Sequence, residues 1–254
     1  MTGKLAIWGT LLLTTNCLAQ ESATISHVKF QVDTDVFFGD QDAPAQQTRT
    51  LFSGGVAYDI SYDDPNQITL VDPTRNRIIL LHKAKQVRTE IDLAELNQFI
   101  VAAQKKAESS GLAIFLRGAA RVESTGTSVS VGDEVLKYES TLRIAEDERM
   151  AQQYAQVADA LALFNGWRSG VPPFARLALN RAIAEKKSLP EKITRTSNNT
   201  QDHCLLHINW KLSKADEALI AEIGEMLVKF EAINQSEFFA LEKQVAAASS
   251  KPKQ

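Results

Sequence analysis

From Val28 to Ile91 apolar and polar side chains alternate in short runs divided by turn residues, and this spacing constrains the fold more than any other feature of the chain. Val28, Phe30, Val32, Val36 and Phe38 share one parity; Lys29, Gln31, Asp33 and Asp35 take the other. A strand with one buried and one wet face has this pattern. A second strand over 48–52 runs into Ser53-Gly54-Gly55, a hairpin or bulge signal. Val56, Tyr58, Ile60 and Tyr62 then alternate with Ala57, Asp59, Ser61 and Asp63. Turn signals at Asp63-Asp64-Pro65-Asn66 and Asp72-Pro73-Thr74-Arg75-Asn76 set off further strands over 68–71, 77–82 and 86–91. Short strands at such close spacing predict an antiparallel meander.

Helical periodicity follows. Asp92 and Glu95 make a capping-box pattern ahead of an apolar stripe of Leu93, Leu96, Phe99, Ile100, Ala103 and Ala107, which Ser110-Gly111 ends. Strands are expected again over 112–117, 121–124 and 135–144, with 125–132 as a polar loop. Asp147-Glu148 opens a helix through Met150, Tyr154, Val157, Leu161 and Phe164, and Asn165-Gly166 closes it. Trp167 then falls in a connection between helices, where core packing is its expected role. Pro172-Pro173 opens another helix. A strand pair over 190–196 and 203–212 precedes a last helix capped by Ser213, with Ile220, Ile223, Leu227 and Phe230 on one stripe and a break at 234–236.

Residues 1–19 have the layout of a secretory signal peptide: Lys4, an apolar run over 5–13 broken by Gly9 and Thr10, and Cys17-Leu18-Ala19 ahead of Gln20. The apolar run is about half the ~20 residues that a membrane span needs. Asn16 suits a lipobox badly, so lipid anchoring at Cys17 is the lesser alternative to cleavage. The expected product is periplasmic or secreted and has no transmembrane span. It is read as a single α+β domain over 20–245 with a disordered tail over 246–254. Once Cys17 is removed, Cys204 is the one cysteine left, and no internal disulfide can form. The formal net charge is −3 and no basic stretch stands out, which argues against nucleic acid as a partner.

Candidate chemistry is sparse. His203 and His207 are four residues apart, but on a strand that is about 13 Å, too far for one metal. Strand parity makes them wet-face residues and places Cys204 inside as an inert thiol. Asp33, Asp35, Asp40 and Asp42 lack the closing glutamate of a calcium loop and read as a solvated face and turn. Asp63, Asp64 and Asp72 sit beside prolines in turns, where carboxylates bond the local backbone. Asp59 could join them as a paired carboxylate, but none is assigned a catalytic role. The chain has no nucleophile elbow, zinc-protease motif or phosphate-cradling glycine loop, and no cofactor or metal is expected.

The order Tyr58-Asp59, Asp64-Pro65-Asn66-Gln67, Ile68-Thr69-Leu70-Val71-Asp72, Arg77-Ile78-Ile79-Leu80-Leu81 and Gln86-Val87 resembles the periplasmic lipoprotein-carrier (Lol carrier-like) superfamily. Two departures are plain: Asp72-Pro73 stands where Asp-Gly is usual, and aliphatic Ile78 and Ile79 stand where an aromatic often follows. The resemblance implies an incomplete antiparallel barrel whose concave apolar side binds acyl chains without catalysis. The expected fold is therefore α+β, a curved antiparallel sheet forming an incomplete barrel with helices packed on one face. The expected function is non-catalytic binding of a hydrophobic or amphipathic ligand, a lipid or lipoprotein acyl chain. Phe30, Val32, Tyr58, Ile60 and Tyr62 are the candidate lining residues, chosen by parity. Two alternatives stay open: an envelope scaffold or assembly protein acting through protein contacts, and a hydrolase with an unrecognised site.

Overall fold

A computed structural model describes residues 28–109, 121–171, 173–197 and 200–249. The meander opens with β1 (Phe30–Phe37), β2 (Gln46–Ser53), β3 (Val56–Ser61), β4 (Gln67–Asp72), β5 (Arg77–His82) and β6 (Val87–Asp92), and α1 (Leu93–Ser109) follows. Then come β7 (Val122–Ser124), β8 (Ser128–Gly132) and β9 (Leu136–Ile144), followed by α2 (Glu148–Ser169) and α3 (Phe174–Glu185). The chain continues through β10 (Ser188–Ser197), β11 (Thr200–Asn209), α4 (Lys214–Lys229), β12 (Glu231–Ala232) and α5 (Gln235–Ser249). All twelve strands join one sheet in the order β12-β6-β5-β4-β3-β2-β1-β11-β10-β9-β8-β7. Every pairing is antiparallel except the two-residue β12–β6 contact, and the end strands β12 and β7 do not meet, so the sheet stays open. The architecture is α+β, as the alternation predicts.

Turn chemistry fixes the register. Gly54 and Gly55 both have positive φ (62° and 81°) and form a two-residue hairpin that sets Ser53 opposite Val56. Left-handed conformations at both central positions are what a primed hairpin turn requires. The β4–β5 and β5–β6 connections share another device, a short 3-10 turn (Pro73–Arg75, Lys83–Lys85) ended by a left-handed residue, Asn76 or Gln86. Asp72 caps the first of these by accepting from Thr74 Oγ1 (2.7 Å) and from the Arg75 amide.

This register puts Phe30, Phe52, Ala57, Val71, Ile78 and Ile91 in one row across the sheet. All are buried in the main core, on what is called here the inner face, where Phe30 stacks on Phe52 with ring centres 4.0 Å apart. The adjacent row, Leu51, Tyr58, Leu70 and Ile79, points the other way. A second core forms on that reverse face from Ile68, Leu70, Ile79 and Leu81 with Ile223 and Met226 of α4, and Val56, Tyr58 and Ile60 pack against it.

Helices therefore cover both faces rather than one. α1, α2, α3 and α5 contribute to the inner core, through Leu96, Val157, Leu179 and Phe238 among others. α4 is fixed to the reverse face, and its start is held by a reciprocal capping box between Ser213 and Asp216. Arg49 of β2 reaches both Asp33 (2.9 Å) and Asp216 (3.5 Å), tying that helix end to the sheet.

Several local expectations change. Residues 128–132 are strand β8 rather than loop. α2 continues past Asn165-Gly166 to Ser169 and stops at Gly170 (φ 72°), so Trp167 is helical and packs on Phe164 and Phe239. Asp92 accepts from the Ala94 amide and from Asn76 Nδ2, tying the start of α1 to the turn before β5. α5 extends to Ser249, so residues 246–249 of the expected tail are helical. The signal segment 1–19 with Cys17, the strand expected over 112–117 and residues 250–254 lie outside the described residues.

The reverse-face core is open to a direct test. Ile223 is fully buried and Val228 is 85% exposed on the same helix. Ile223→Ala should lower unfolding free energy by about 2–5 kcal/mol. Val228→Ala should stay within about 0.5 kcal/mol. Urea denaturation of the two variants checks the contrast.

Candidate functional site: a cavity under α2

An antiparallel sheet has to hide its apolar face, and α2 crosses the inner face from β10 to β4 for this purpose. The fit is incomplete. A cavity of about 730 Å³ remains between sheet and helix. That lies within the ~300–1,000 Å³ of small-molecule sites. Its floor is strand residues of inner parity, including Val32, Val36, Leu206 and Ile193. Its roof is the inward stripe of α2, including Val157, Ala158, Leu161 and Ala162. The small Ala158 and Ala162 leave the space that larger side chains would fill. One end is closed by Phe52, which packs against Tyr154. Exposed Phe38 and Val171 border it elsewhere.

The α2–α3 connection forms part of the wall. Gly166 lines the cavity, and a Cβ there would come within 2.8 Å of Pro173 Cδ and 2.9 Å of the Val171 carbonyl oxygen. A side chain at this position would push the connection outward, so the close approach of helix and loop requires glycine.

Polar groups enter the cavity at a few places. Asp59 of β3 is on the inner parity, opposite Thr50, whose hydroxyl donates to Asp59 Oδ1 at 2.7 Å. Burial pushes the Asp59 carboxyl above its ordinary range, against the opposing effect of hydrogen bonds from Thr50 and Thr48. Tyr154 is enclosed, and burial raises its hydroxyl to about 12 despite nearby Arg176. Cys204 is a free, half-buried thiol on the wall, and burial raises it too. A thiol held in its neutral form is a poor nucleophile. Arg176 of α3 stands beside Tyr154 and Cys204. Arg195 lies toward Ser197 and is paired with Asp202 at 2.6 Å.

The five lining candidates divide between the faces. Val32 lines the cavity, and Phe30 lies on the same inner face within the core. Tyr58 and Ile60 pack on the reverse face, and Tyr62, half-exposed, receives the Arg49 guanidinium 5.6 Å from its ring centre. The reason is the two-residue turn: it sets Phe52 opposite Ala57, so the inner residues of β3 are Ala57 and Asp59. The sheet is buried on both sides at β3, and side-chain size alone then misidentifies the inner parity. Cys204 is inside as its parity predicts. His207 Nε2 lies 3.1 Å from Asp35 Oδ2 at the surface, and His203 stacks on Phe37. Asp64 accepts from the Asn66 amide, a local bond of the expected kind, whereas Asp63 accepts from the Gln47 amide across the sheet.

Among the described residues no three His, Cys, Asp or Glu side chains gather as metal ligands, and no helix is long and apolar enough to cross a membrane. No family model matches the chain, and no curated protein matches it.

The raised Asp59 carboxyl has a stability consequence. Folding favours its protonated form, so its contribution is greatest below the unfolded pKa and is lost as pH rises through the folded one. Asp59→Asn keeps an acceptor for Thr50 and removes the titration. The variant should be more stable than the parent at neutral pH, with the gap closing as the medium is acidified. Urea midpoints across a pH series check the sign.

Proposed function

We propose that the protein is an exported, non-catalytic binder of a hydrophobic or amphipathic ligand, a lipid or lipoprotein acyl chain, held between α2 and the inner face of the sheet. The observation that carries this reading is the cavity itself. A space of about 730 Å³ walled by Val32, Val36, Val157, Leu161 and Leu206 is apolar surface awaiting cover. Filling it with alkyl chain removes that surface from water at about 25 cal/mol per Å².

The likeness of segment 58–91 to the lipoprotein carriers and the signal-like layout of residues 1–19 support an envelope or secreted setting. The neutral Cys204 thiol favours binding over nucleophilic catalysis.

Protein purified without detergent and extracted into organic solvent should release a lipid detectable by mass spectrometry, or else should enhance the fluorescence of N-phenyl-1-naphthylamine. Ala162→Trp fills the cavity from α2 and should weaken dye binding by about tenfold or more, the loss of most of one alkyl contact surface. Bound ligand should also slow N-ethylmaleimide labelling of Cys204, read by peptide mass spectrometry. A protein that yields no lipid and takes up no dye would sink the proposal.

A further inference from the structure

Arg176 is the cavity-wall guanidinium without an acidic partner, and its side chain bonds the Tyr154 hydroxyl. It occupies the first turn of α3 and forms no ion pair among the described residues. Asp159 is within its electrostatic range but makes no ion pair with it, is shared with Arg181, and accepts from Asn180 Nδ2 at 2.8 Å. The second cavity guanidinium, Arg195, is by contrast neutralised by Asp202.

Two effects oppose a lone cation at this place. Apolar surroundings penalise a charge without a counter-charge. The first turn of a helix also carries the positive end of the macrodipole. α3 offers no relief, since Pro173 provides no side-chain cap and the first turn has no acidic residue. An arriving anion would remove both penalties. Guanidinium pairs with carboxylate or phosphate oxygens through two parallel hydrogen bonds. The Tyr154 hydroxyl beside it stays protonated at neutral pH and can donate a further bond.

We infer that the cavity takes a single-chain amphiphile with an anionic oxygen head, carboxylate or phosphate, seated on Arg176 with its alkyl chain against Val157, Leu161 and Leu206. The inference rests on the binding role proposed above and adds the head-group chemistry that selects the ligand. The source of that head is a free fatty acid or a phosphorylated lipid, and the two share one mode of recognition.

The test is displacement of uncharged N-phenyl-1-naphthylamine from the purified protein by dodecanoate, dodecyl phosphate and dodecanol. At least one anion should compete at about tenfold lower concentration than the alcohol, the scale of one charge-assisted pair. Arg176→Gln should erase that preference by weakening the anions much more than dodecanol, while Arg176→Lys should keep part of it. The three-ligand comparison on the parent protein needs no variant and stands if Arg176→Gln does not fold. Tighter dodecanoate identifies a fatty-acid source, and tighter dodecyl phosphate a phospholipid one. Dodecanol competing as well as both anions overturns the head-group inference and leaves the binding role intact. Failure of the dye and all three competitors to bind overturns the binding role, and this inference falls with it.

Discussion

A twelve-stranded open sheet presents more inner surface than one helix can cover, and the rest of the molecule follows from that mismatch. Apolar sheet faces must be hidden, and the means are helices, further strands or a guest. Over β4–β6, α2, α1 and α5 together complete the cover on the inner side, and Ile78, Ile91, Leu93 and Leu96 leave almost no exposed surface. Toward the other edge α3 packs on β7–β10, while over the cavity the roof is α2, whose small residues face the floor. The cavity is the part of the inner face that no described element fills.

The two halves of the sheet differ accordingly on the reverse side. Behind β3–β5 lies a second apolar core sealed by α4. Behind β1 and β2 the same face is polar: Asp33 holds Arg49, Asp35 holds Gln47 and His207, and Gln31 donates to Asp33. One half is thus packed on two sides and the other on one.

Much of this fold was legible in the sequence because turns and periodicity act locally. The β1–β6 meander, the stops after Phe52 and Asp72, the start of α2 at Asp147 and the cap at Ser213 are all read from neighbouring residues. Which face of β3 points inward was not legible, since it depends on a cross-strand register rather than on β3 alone. Ala57 is smaller than Tyr58, so size favours the wrong parity; the Gly54-Gly55 turn read as a strict two-residue hairpin would have set Phe52 against Ala57 and corrected it. β8 was hidden by its composition, because Ser128, Ser130 and Gly132 mask the buried Val129 and Val131 between them. Two-residue β12 carries no periodic signal at all.

The polar side chains of the cavity were the least legible part, and their placement has a thermodynamic meaning. Asp59 reads as a wet-face aspartate and Arg176 as an ordinary helix residue, because neither belongs to a local motif. Each is instead carried inward by its element: Asp59 by the β2–β3 register, Arg176 by the first turn of α3. A chain selected for stability alone would put aliphatic side chains at both positions, since an enclosed carboxyl and an unpaired guanidinium oppose folding. Hydrogen bonds from Thr50 to Asp59 and between Arg176 and Tyr154 offset only part of that cost. Other charges of the sheet are paired, as Arg49 with Asp33 and Arg195 with Asp202. Arg176 thus stands without an ion pair beside apolar surface that the packing leaves uncovered, and the proposed ligand, with its alkyl chain and anionic head, would meet both.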